Sequence, residues 1–398
     1  MKTFGYLDYA AATPVDPLVT ETVEAYNRDH FANPSSPHTP GRRARAALEA
    51  ARALVGKTLG AKPAEIIFTS GSTEGAQIAI GGVLGAFPGG EVVVTAIEHQ
   101  AVLQAAAAFS EKAPVIIPCD STGVTQVASV SERLTDATVL VCIQYANNEI
   151  GTLQPVAQTA AEVGRIRKQR LSRGIALPLY LYCDAAQAGL LSLQVSRLGV
   201  DLLSMGGSKL YGPPGSGFLY IRTGSSLKPI FVGGGQERGL RGGTEQVGAA
   251  AGLSAALELI QRSRAGEAQR LKGLRDELWR TIHERIEGVT VNGTLAHRLP
   301  HNLHLSFAGC EGEALVAHLD ASGFAVATGS ACTAANQDPS HVLLAIGRTP
   351  EEAESSLRIS LGRFTTDDEL QRFIPTLIQA VERVRQHAQK RTSGTIGS

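Results

Sequence analysis

Short apolar runs alternate with longer helix-like stretches between about residues 60 and 225. This alternation is typical of α/β proteins. Runs such as Val139–Ile143 are apolar without a period of two, which favours a mostly parallel sheet that is covered on both faces. The predicted strands are EIIFTS (65–70), EVVVTAI (91–97), APVIIP (113–118), TVLVCIQY (138–145), LYLYCDAAQ (179–187), DLLSM (201–205) and GFLYIRT (217–223).

A glycine-rich stretch, VGGGQERGLRGGTEQ (232–246), separates this region from a long helical pattern that begins near Gly248. Beyond it, HNLHLSF (301–307) reads as a strand and residues 366–390 as a closing amphipathic helix, which indicates a smaller α+β domain. We therefore predict four parts of the chain. They are an N-terminal segment (1–15) that packs with the small domain, a large domain (16–255), a small C-terminal domain (256–392) and a disordered tail (393–398).

Composition narrows the class of protein. The 398 residues are 43% hydrophobic and 19% charged, as in a folded globular chain, and the formal net charge of zero gives no field that favours nucleic acid or membranes. No signal peptide or apolar span is visible, so we expect a cytoplasmic protein. Five cysteines without CxxC spacing disfavour a disulfide framework and an intrinsic metal site.

Small and hydroxyl residues follow the first predicted strand. Gly71–Gly75 reads Gly-Ser-Thr-Glu-Gly and leads into an apparent helix, whose N-terminus offers N–H groups to a phosphate. Ser72 and Thr73 are the candidate ligands, and an ordinary helix cap is the alternative.

An acid and a lysine end two later strands. Asp184 can pair with a pyridinium nitrogen and keep it protonated, although a helix-capping role is equally open. Lys209 lies in a glycine- and proline-rich turn, and a solvated surface lysine is the alternative reading. Together they are more informative than either one alone, because both follow strands of one sheet. His99 and Asn148 occupy equivalent positions, so four polar clusters on one sheet edge favour a ligand site.

Two candidates lie in the second domain. Cys332 lies among small residues in ATGSACTAA (327–335), so we predict a reactive thiol on a mobile loop at about 325–340, whereas the other cysteines accompany apolar strands. Arg358 alternates with apolar residues in SLRISLG (356–362) and suits a carboxylate ligand or a structural ion pair.

These residues, in this order, resemble the class I cysteine desulfurases of aminotransferase fold type I over nearly the whole chain. The motifs that carry the resemblance are LDYAAATP, NPSS with His38 and Gly41, FTSGSTEG, IEHQAV, NNEIG, CDAAQ, KLYGPPG, ERGLRGGT, TGSACTAA and SLRISLGRF. The resemblance implies a large domain with a mostly parallel seven-stranded sheet that binds pyridoxal 5'-phosphate (PLP), a smaller C-terminal domain and a homodimer.

The resemblance also implies a role for each site residue. Lys209 holds the cofactor, Cys332 takes sulfur from L-cysteine as a persulfide and leaves alanine, and Arg358, helped by Asn33, binds the substrate carboxylate. The implied cofactor contacts are Asp184 at the ring nitrogen, His99 stacked on the ring, Gln187 at the ring hydroxyl, Asn148 beside it, and Ser72, Thr73, Gly207, Ser208 and Thr244 of the partner subunit at the phosphate.

The sequence departs from the family pattern just before Lys209. The family has serine, glycine and histidine there, whereas this chain has Gly206, Gly207 and Ser208, so we predict a weaker hold on the phosphate. The sulfur acceptor is expected to be an iron–sulfur scaffold or a tRNA-thiolation carrier, and Cys332 is a candidate transient ligand of a shared cluster. A selenocysteine lyase and a non-catalytic assembly partner are the alternatives.

Overall fold

The computed structural model describes residues 4–329 and 338–394. Cys332, the predicted reactive thiol, lies outside this described part, and so do residues 395–398 of the predicted tail. The strands of the described chain are β1 (Gly5–Tyr6), β2 (Ile66–Thr69), β3 (Glu91–Thr95), β4 (Val115–Ile117), β5 (Thr138–Gln144), β6 (Tyr180–Asp184), β7 (Leu202–Gly206), β8 (Gly217–Ile221), β9 (Val289–Val291), β10 (Asn302–Phe307), β11 (Phe324–Ala325) and β12 (Ser356–Ser360).

Helices lie between most of these strands. Short 3₁₀ turns occur at Pro63–Glu65, Gly207–Lys209 and Gln236–Gly239. The α-helices of the described chain are α1 (Pro17–Asp29), α2 (Thr39–Leu59), α3 (Ser72–Ala86), α4 (Gln100–Phe109), α5 (Val127–Arg133), α6 (Val156–Ser172), α7 (Val195–Leu198), α8 (Val247–Arg285), α9 (Gly312–Ala321), α10 (His341–Ala345), α11 (Pro350–Glu354) and α12 (Asp367–Gly394).

A seven-stranded sheet forms the centre of the large part of the fold, in the order β2-β8-β7-β6-β5-β3-β4. The pairs from β7 through β6, β5 and β3 to β4 are parallel, whereas β8 pairs antiparallel with β7 and β2. Every residue of β5 is buried, because helices cover both faces of the sheet. The predicted α/β class and mostly parallel sheet are confirmed.

A smaller antiparallel sheet, ordered β12-β10-β9, lies in the C-terminal part together with α9 and α12. Helix α8 is 39 residues long and runs without interruption across the predicted boundary at residues 255 and 256. Strand β1 pairs with β11, and Asp8 bridges to Ser360. Helix α12 extends to Gly394, so the first two residues of the predicted tail are helical. The domain boundaries themselves remain a prediction.

The carboxyl ends of the parallel strands meet at one edge of the large sheet. Gln144 at the end of β5 is the cross-strand neighbour of Asp184 at the end of β6, which in turn neighbours Ser204 in β7. The segments that follow these strands therefore converge, as the sequence pattern predicted. Among the helices that the structure describes, none combines the length and apolar character needed to cross a bilayer.

Candidate active site

A cavity of about 340 Å³ opens at this edge, which is the size range of small-molecule sites. It brings together residues from the large sheet, from the N-terminal segment and from β12. The sequence-predicted residues that line it are Ser72, Thr73, His99, Asn148, Asp184, Gln187, Ser208, Lys209 and Arg358.

Lys209 is held by the short turn that follows β7. The N–H of Gly207 donates to the carbonyl of Ser216, 2.8 Å away, and the N–H of Gly212 donates back to the carbonyl of Gly207 at 3.0 Å. These bonds fix the turn at both ends. The Lys209 ammonium donates a hydrogen bond to the carbonyl oxygen of Ala11, so the N-terminal segment shares in placing the amine.

Asp184 is a buried acid at the end of β6. One carboxylate oxygen, Oδ1, accepts the N–H of Ala186 at 2.9 Å. Burial raises the pKa of Asp184, while the nearby His99, the Ala186 hydrogen bond and the nearby Lys209 act in the opposite direction. A buried carboxylate of this kind is stabilised by a cation, and a protonated pyridine nitrogen is such a cation.

His99 is the N-cap of α4. Its ring nitrogen Nδ1 accepts the N–H of Ala101 at 3.1 Å. Because a neutral imidazole carries one proton, this bond assigns that proton to Nε2. The helix cap therefore fixes both the ring and its tautomer, and the ring lines the cavity.

The N-terminus of α3 forms one end of the cavity. Its N-cap is Gly71, which supplies no side-chain hydrogen bond, and Ser72 and Thr73 follow as the first helical residues. Such a helix end suits a phosphate. A Cβ atom added to Gly206 would lie 3.2 Å from the backbone nitrogen of Ser72, so the glycine at 206 permits β7 to approach this turn closely.

The carboxylate of Glu74 also lines the cavity, at the end that is formed by α3. Glu74 Oε2 accepts the N–H of Ser70 at 2.6 Å, and Glu74 Oε1 accepts Nε of Arg241 at 2.8 Å. These hydrogen bonds lower the pKa of Glu74 although burial opposes them. Arg241 offsets a negative charge that would otherwise repel a phosphate.

Arg358 is almost fully buried in β12, at 2% exposure. Its Nη2 donates to Oδ1 of Asp8 at 2.8 Å, and its Nη1 donates to the carbonyl of Asn148 at 3.0 Å. Within the described residues its Nε has no hydrogen-bond partner. The guanidinium is thus held in place by two hydrogen bonds, and the residue lines the cavity.

Three predicted residues do not line the cavity. Asn33 is exposed, and its Oδ1 accepts the N–H of Ser35 at 2.9 Å. Thr244 is exposed outside the cavity of its own chain, which leaves the predicted contact to a partner subunit untested. Gly207 packs tightly, since a Cβ there would lie 2.3 Å from Ser216 Oγ. Cys332 lies outside the described residues.

The four described cysteines are free thiols. Burial raises the pKa of Cys119 to about 11 and raises the pKa of the others as well. None of these four is an activated thiolate, in agreement with their predicted inert character. No group of three or more possible metal ligands occurs within 4–329 and 338–394.

Sequence reasoning missed several residues of this region. Asp8 was given no role, although it pairs with Arg358. Gln144 lines the cavity, and Glu98 is buried next to it. The signal for Glu98 was a charged residue inside the apolar turn IEHQAV, where a buried carboxyl is uncommon.

The donor set fits PLP. A lysine amine, a buried acid, an imidazole and a helix N-terminus without a side-chain cap surround one cavity. Each matches one part of the cofactor: the aldehyde, the ring nitrogen, the ring face and the phosphate.

Comparisons with known proteins agree with this donor set. Residues 5–373 match the aminotransferase class-V family. Cysteine desulfurase IscS of Dictyoglomus turgidum is 41% identical over 391 residues, which cover 97% of this chain and 96% of the relative. Cysteine desulfurase IscS 1 of Archaeoglobus fulgidus is 38% identical over 385 residues, covering 96% of this chain and 97% of the relative.

Solved structures show the same similarity. A NifS-like protein superposes with a TM-score of 0.85 at 32% identity, covering 95% of this chain and 99% of that chain. A structure described as SspA in complex with cysteine superposes with a TM-score of 0.77 at 32% identity, covering 91% of this chain and 100% of that one.

The chain belongs to the class-V aminotransferase family, whose members depend on PLP. Within that family it groups with the cysteine desulfurases. The predicted family, enzyme class and cofactor are confirmed.

Proposed function

We propose that this chain converts L-cysteine to L-alanine and collects the sulfur on Cys332 as a persulfide. The observation that carries the proposal is the cavity itself, which places Lys209, Asp184, His99 and Arg358 around one space at the ends of the sheet strands. Such a set supplies an amine, an acid, an imidazole and a carboxylate receptor.

When bound, PLP supplies an electron sink that makes the substrate's α-proton acidic. Asp184 holds the ring nitrogen in its protonated form, because burial makes its carboxylate depend on a cation. Lys209 would hold the cofactor through its amine, and the same amine would move the substrate's α-proton. His99 covers the ring, with its proton on Nε2.

Arg358 orients the substrate. Its charge is fixed and almost fully buried, so a carboxylate that enters the cavity meets a strong and directional receptor. Asp8 keeps the guanidinium paired in the free enzyme, and a substrate carboxylate would compete with Asp8 for the Nη donors at the cavity wall. We propose that Asn33 assists Arg358 in binding the substrate carboxylate.

Sulfur transfer completes the proposed reaction. The Cys332 thiolate attacks the substrate sulfur, so that a sulfur–sulfur bond forms while the bond between the substrate sulfur and its β-carbon breaks. The electron pair of the broken bond stays with the β-carbon, which takes up a proton and becomes the methyl group of alanine. No external oxidant or reductant is needed.

The phosphate is proposed to lie at the N-terminus of α3. Ser72 and Thr73 would contribute hydroxyls, and the Gly207–Ser208 turn would supply further contacts. Gln187 and Asn148 complete the ring contacts. Thr244 is proposed to reach the phosphate of the partner subunit, which makes the homodimer the functional form. Exposure of Thr244 outside its own cavity supports that arrangement.

The persulfide requires an acceptor protein. We propose an iron–sulfur scaffold or a tRNA-thiolation carrier, with Cys332 as a transient ligand if a cluster is shared. The free thiols of the described cysteines support a reducing compartment, and we propose the cytoplasm.

The test is alanine release from L-cysteine by the wild type and by Cys332→Ser. We expect the variant to lose nearly all activity, while Cys119→Ser, a matched thiol removal at a half-buried position, keeps it. Wild-type activity in Cys332→Ser would contradict the proposal. A parallel assay with selenocysteine separates a lyase, in which Cys332→Ser remains active, from the proposed desulfurase.

A further inference from the structure

Glu98 is a fully buried carboxyl group that is bonded to Gln144, a residue of the cavity wall, and the proposed reaction gives it no role. Its Oε1 accepts the backbone N–H of Gln144 at 2.7 Å and the hydroxyl of Thr95. Its Oε2 has no hydrogen-bond partner in the part of the chain that the structure describes, and no cation there offsets a charge on it.

A carboxylate in such a place is unfavourable without a cation. Burial is the main cause that raises the pKa of Glu98 to about 8, and the charge of Asp184 acts in the same direction. The hydrogen bonds from Thr95 and Gln144 oppose this rise. Glu98 therefore holds a proton at neutral pH, and because Oε1 accepts two hydrogen bonds, the proton lies on Oε2.

The geometry links this proton to the site. Gln144, whose N–H is bonded to Glu98, is the cross-strand neighbour of Asp184. An ionised Asp184 disfavours a second negative charge on Glu98 and so favours the protonated form of Glu98. The neighbouring His99 and Lys209 favour ionisation of Asp184, whereas no cation among the described residues does so for Glu98.

Glu98 also closes the turn that presents His99. Its N–H donates to the carbonyl of Thr95 at 3.2 Å, and its side chain bonds to the hydroxyl of the same residue. Its carbonyl oxygen lies 3.0 Å from Nε2 of His341 in α10. The turn is thereby attached to β5 through Gln144 and to the C-terminal part through His341.

We propose that Glu98 is a positioning residue that stays protonated, fastens the His99 turn to the end of β5 and leaves Asp184 as the charged acid of the site. It touches neither substrate nor cofactor and acts through His99 and Asp184. The effect of Glu98 on catalysis rests on the proposed function, whereas its protonation does not. The titratable groups that surround Glu98 are His99 on its own turn, Cys142 on β5, Tyr182, Cys183 and Asp184 on β6, and His341 on α10.

The first test is infrared spectroscopy of the full-length protein as purified. At neutral pH we expect the wild type to show the carbonyl stretch of a buried protonated carboxyl group, and Glu98→Gln to lack it. The band should disappear as the pH rises past about 8. Absence of the band at neutral pH would overturn the proposal. Because this measurement needs no turnover, it fails or succeeds independently of the proposed function.

The second test is a pH titration of the visible absorption of the PLP-loaded protein. We expect an inflection near pH 8 in the wild type that Glu98→Gln abolishes. Glu149→Gln is the matched control, because Glu149 is equally buried but bonds to Ser340 in the C-terminal part, and it should keep the inflection. Identical titrations of the wild type and Glu98→Gln would contradict the link to Asp184.

Cofactor retention under dialysis tests the positioning role. Glu98→Gln keeps an acceptor for Gln144 and Thr95, so we expect it to retain PLP like the wild type. Glu98→Ala releases the turn, and we expect it to lose PLP roughly tenfold faster, as two lost hydrogen bonds imply. Equal retention by the two variants would refute this part.

Discussion

Removing Arg358 is the perturbation whose size the structure defines best. Arg358→Ala deletes the Nη donors to Asp8 and to the Asn148 carbonyl, and it removes the charge that is proposed to meet the substrate carboxylate. A charge-assisted hydrogen bond contributes about 1.5 to 3 kcal/mol. Two such bonds to a carboxylate, reduced by the competition from Asp8, give about 2 to 4 kcal/mol, which corresponds to a loss of roughly 30- to 900-fold in kcat/KM.

Steady-state alanine release at varied L-cysteine concentration measures this loss, and we expect most of it in KM. Arg275→Ala is the matched control, since Arg275 is equally buried at 2% exposure and pairs with Asp276 rather than with a cavity residue. Both variants lose a buried arginine, but only the first should lose substrate affinity. An unchanged KM in Arg358→Ala, or an equal rise in both variants, would refute the carboxylate role.

Three further predictions concern acid stability, the phosphate and the ring nitrogen. Burial lowers the pKa of His301 to about 4 and that of His304 to about 3. The unfolded chain takes up these protons near pH 6.5. The free energy of unfolding should therefore fall by about 1.4 kcal/mol per pH unit and per histidine as the pH drops from about 6.5 to about 4 for His301 and to about 3 for His304. His304→Phe should remove the contribution of one histidine from this slope in urea titrations. Ser208→His should slow the loss of cofactor during dialysis, because it restores a donor for the phosphate, and equal retention would contradict the predicted weak hold. Asp184→Asn should weaken PLP binding by about 3 kcal/mol, or roughly 150-fold, in absorption titrations, because it removes the only charge proposed for the ring nitrogen; unchanged binding would exclude that role.

The central sheet could be predicted because its signal is local. Runs such as Val139–Ile143 are apolar throughout, and this composition already implies burial on both faces. The rule that ligands lie at the carboxyl ends of parallel strands then placed His99, Asp184 and Lys209 together before any contact was known. The long helix α8 and the strand that carries Arg358 were also visible in the apolar periodicity.

Contacts between distant parts of the chain carried no comparable signal. Strands β1 and β11 have two residues each, too few to establish a periodicity, and they exist because they pair with one another. The ion pair of Asp8 with Arg358 depends on the same juxtaposition. In the sequence Glu98 is an ordinary charged residue beside His99. Its burial and its electrostatic interaction with Asp184 arise only when β5 and β6 align.

Gly206 shows how packing changes the interpretation of a motif. From the sequence its missing side chain counted only as a lost phosphate donor. The structure adds that a Cβ at this position would crowd the backbone of Ser72, so the glycine belongs to a close approach between β7 and the start of α3. The loss at Ser208 therefore remains the better explanation for any weak hold on the phosphate.

The most direct test of the central claim is mass spectrometry of the peptide that contains Cys332 after a single turnover with sulfur-labelled L-cysteine. We expect this peptide to gain one labelled sulfur atom that a reducing agent removes, in an amount equal to the alanine formed. Label on any other cysteine, or alanine formation without labelled Cys332, would contradict the account.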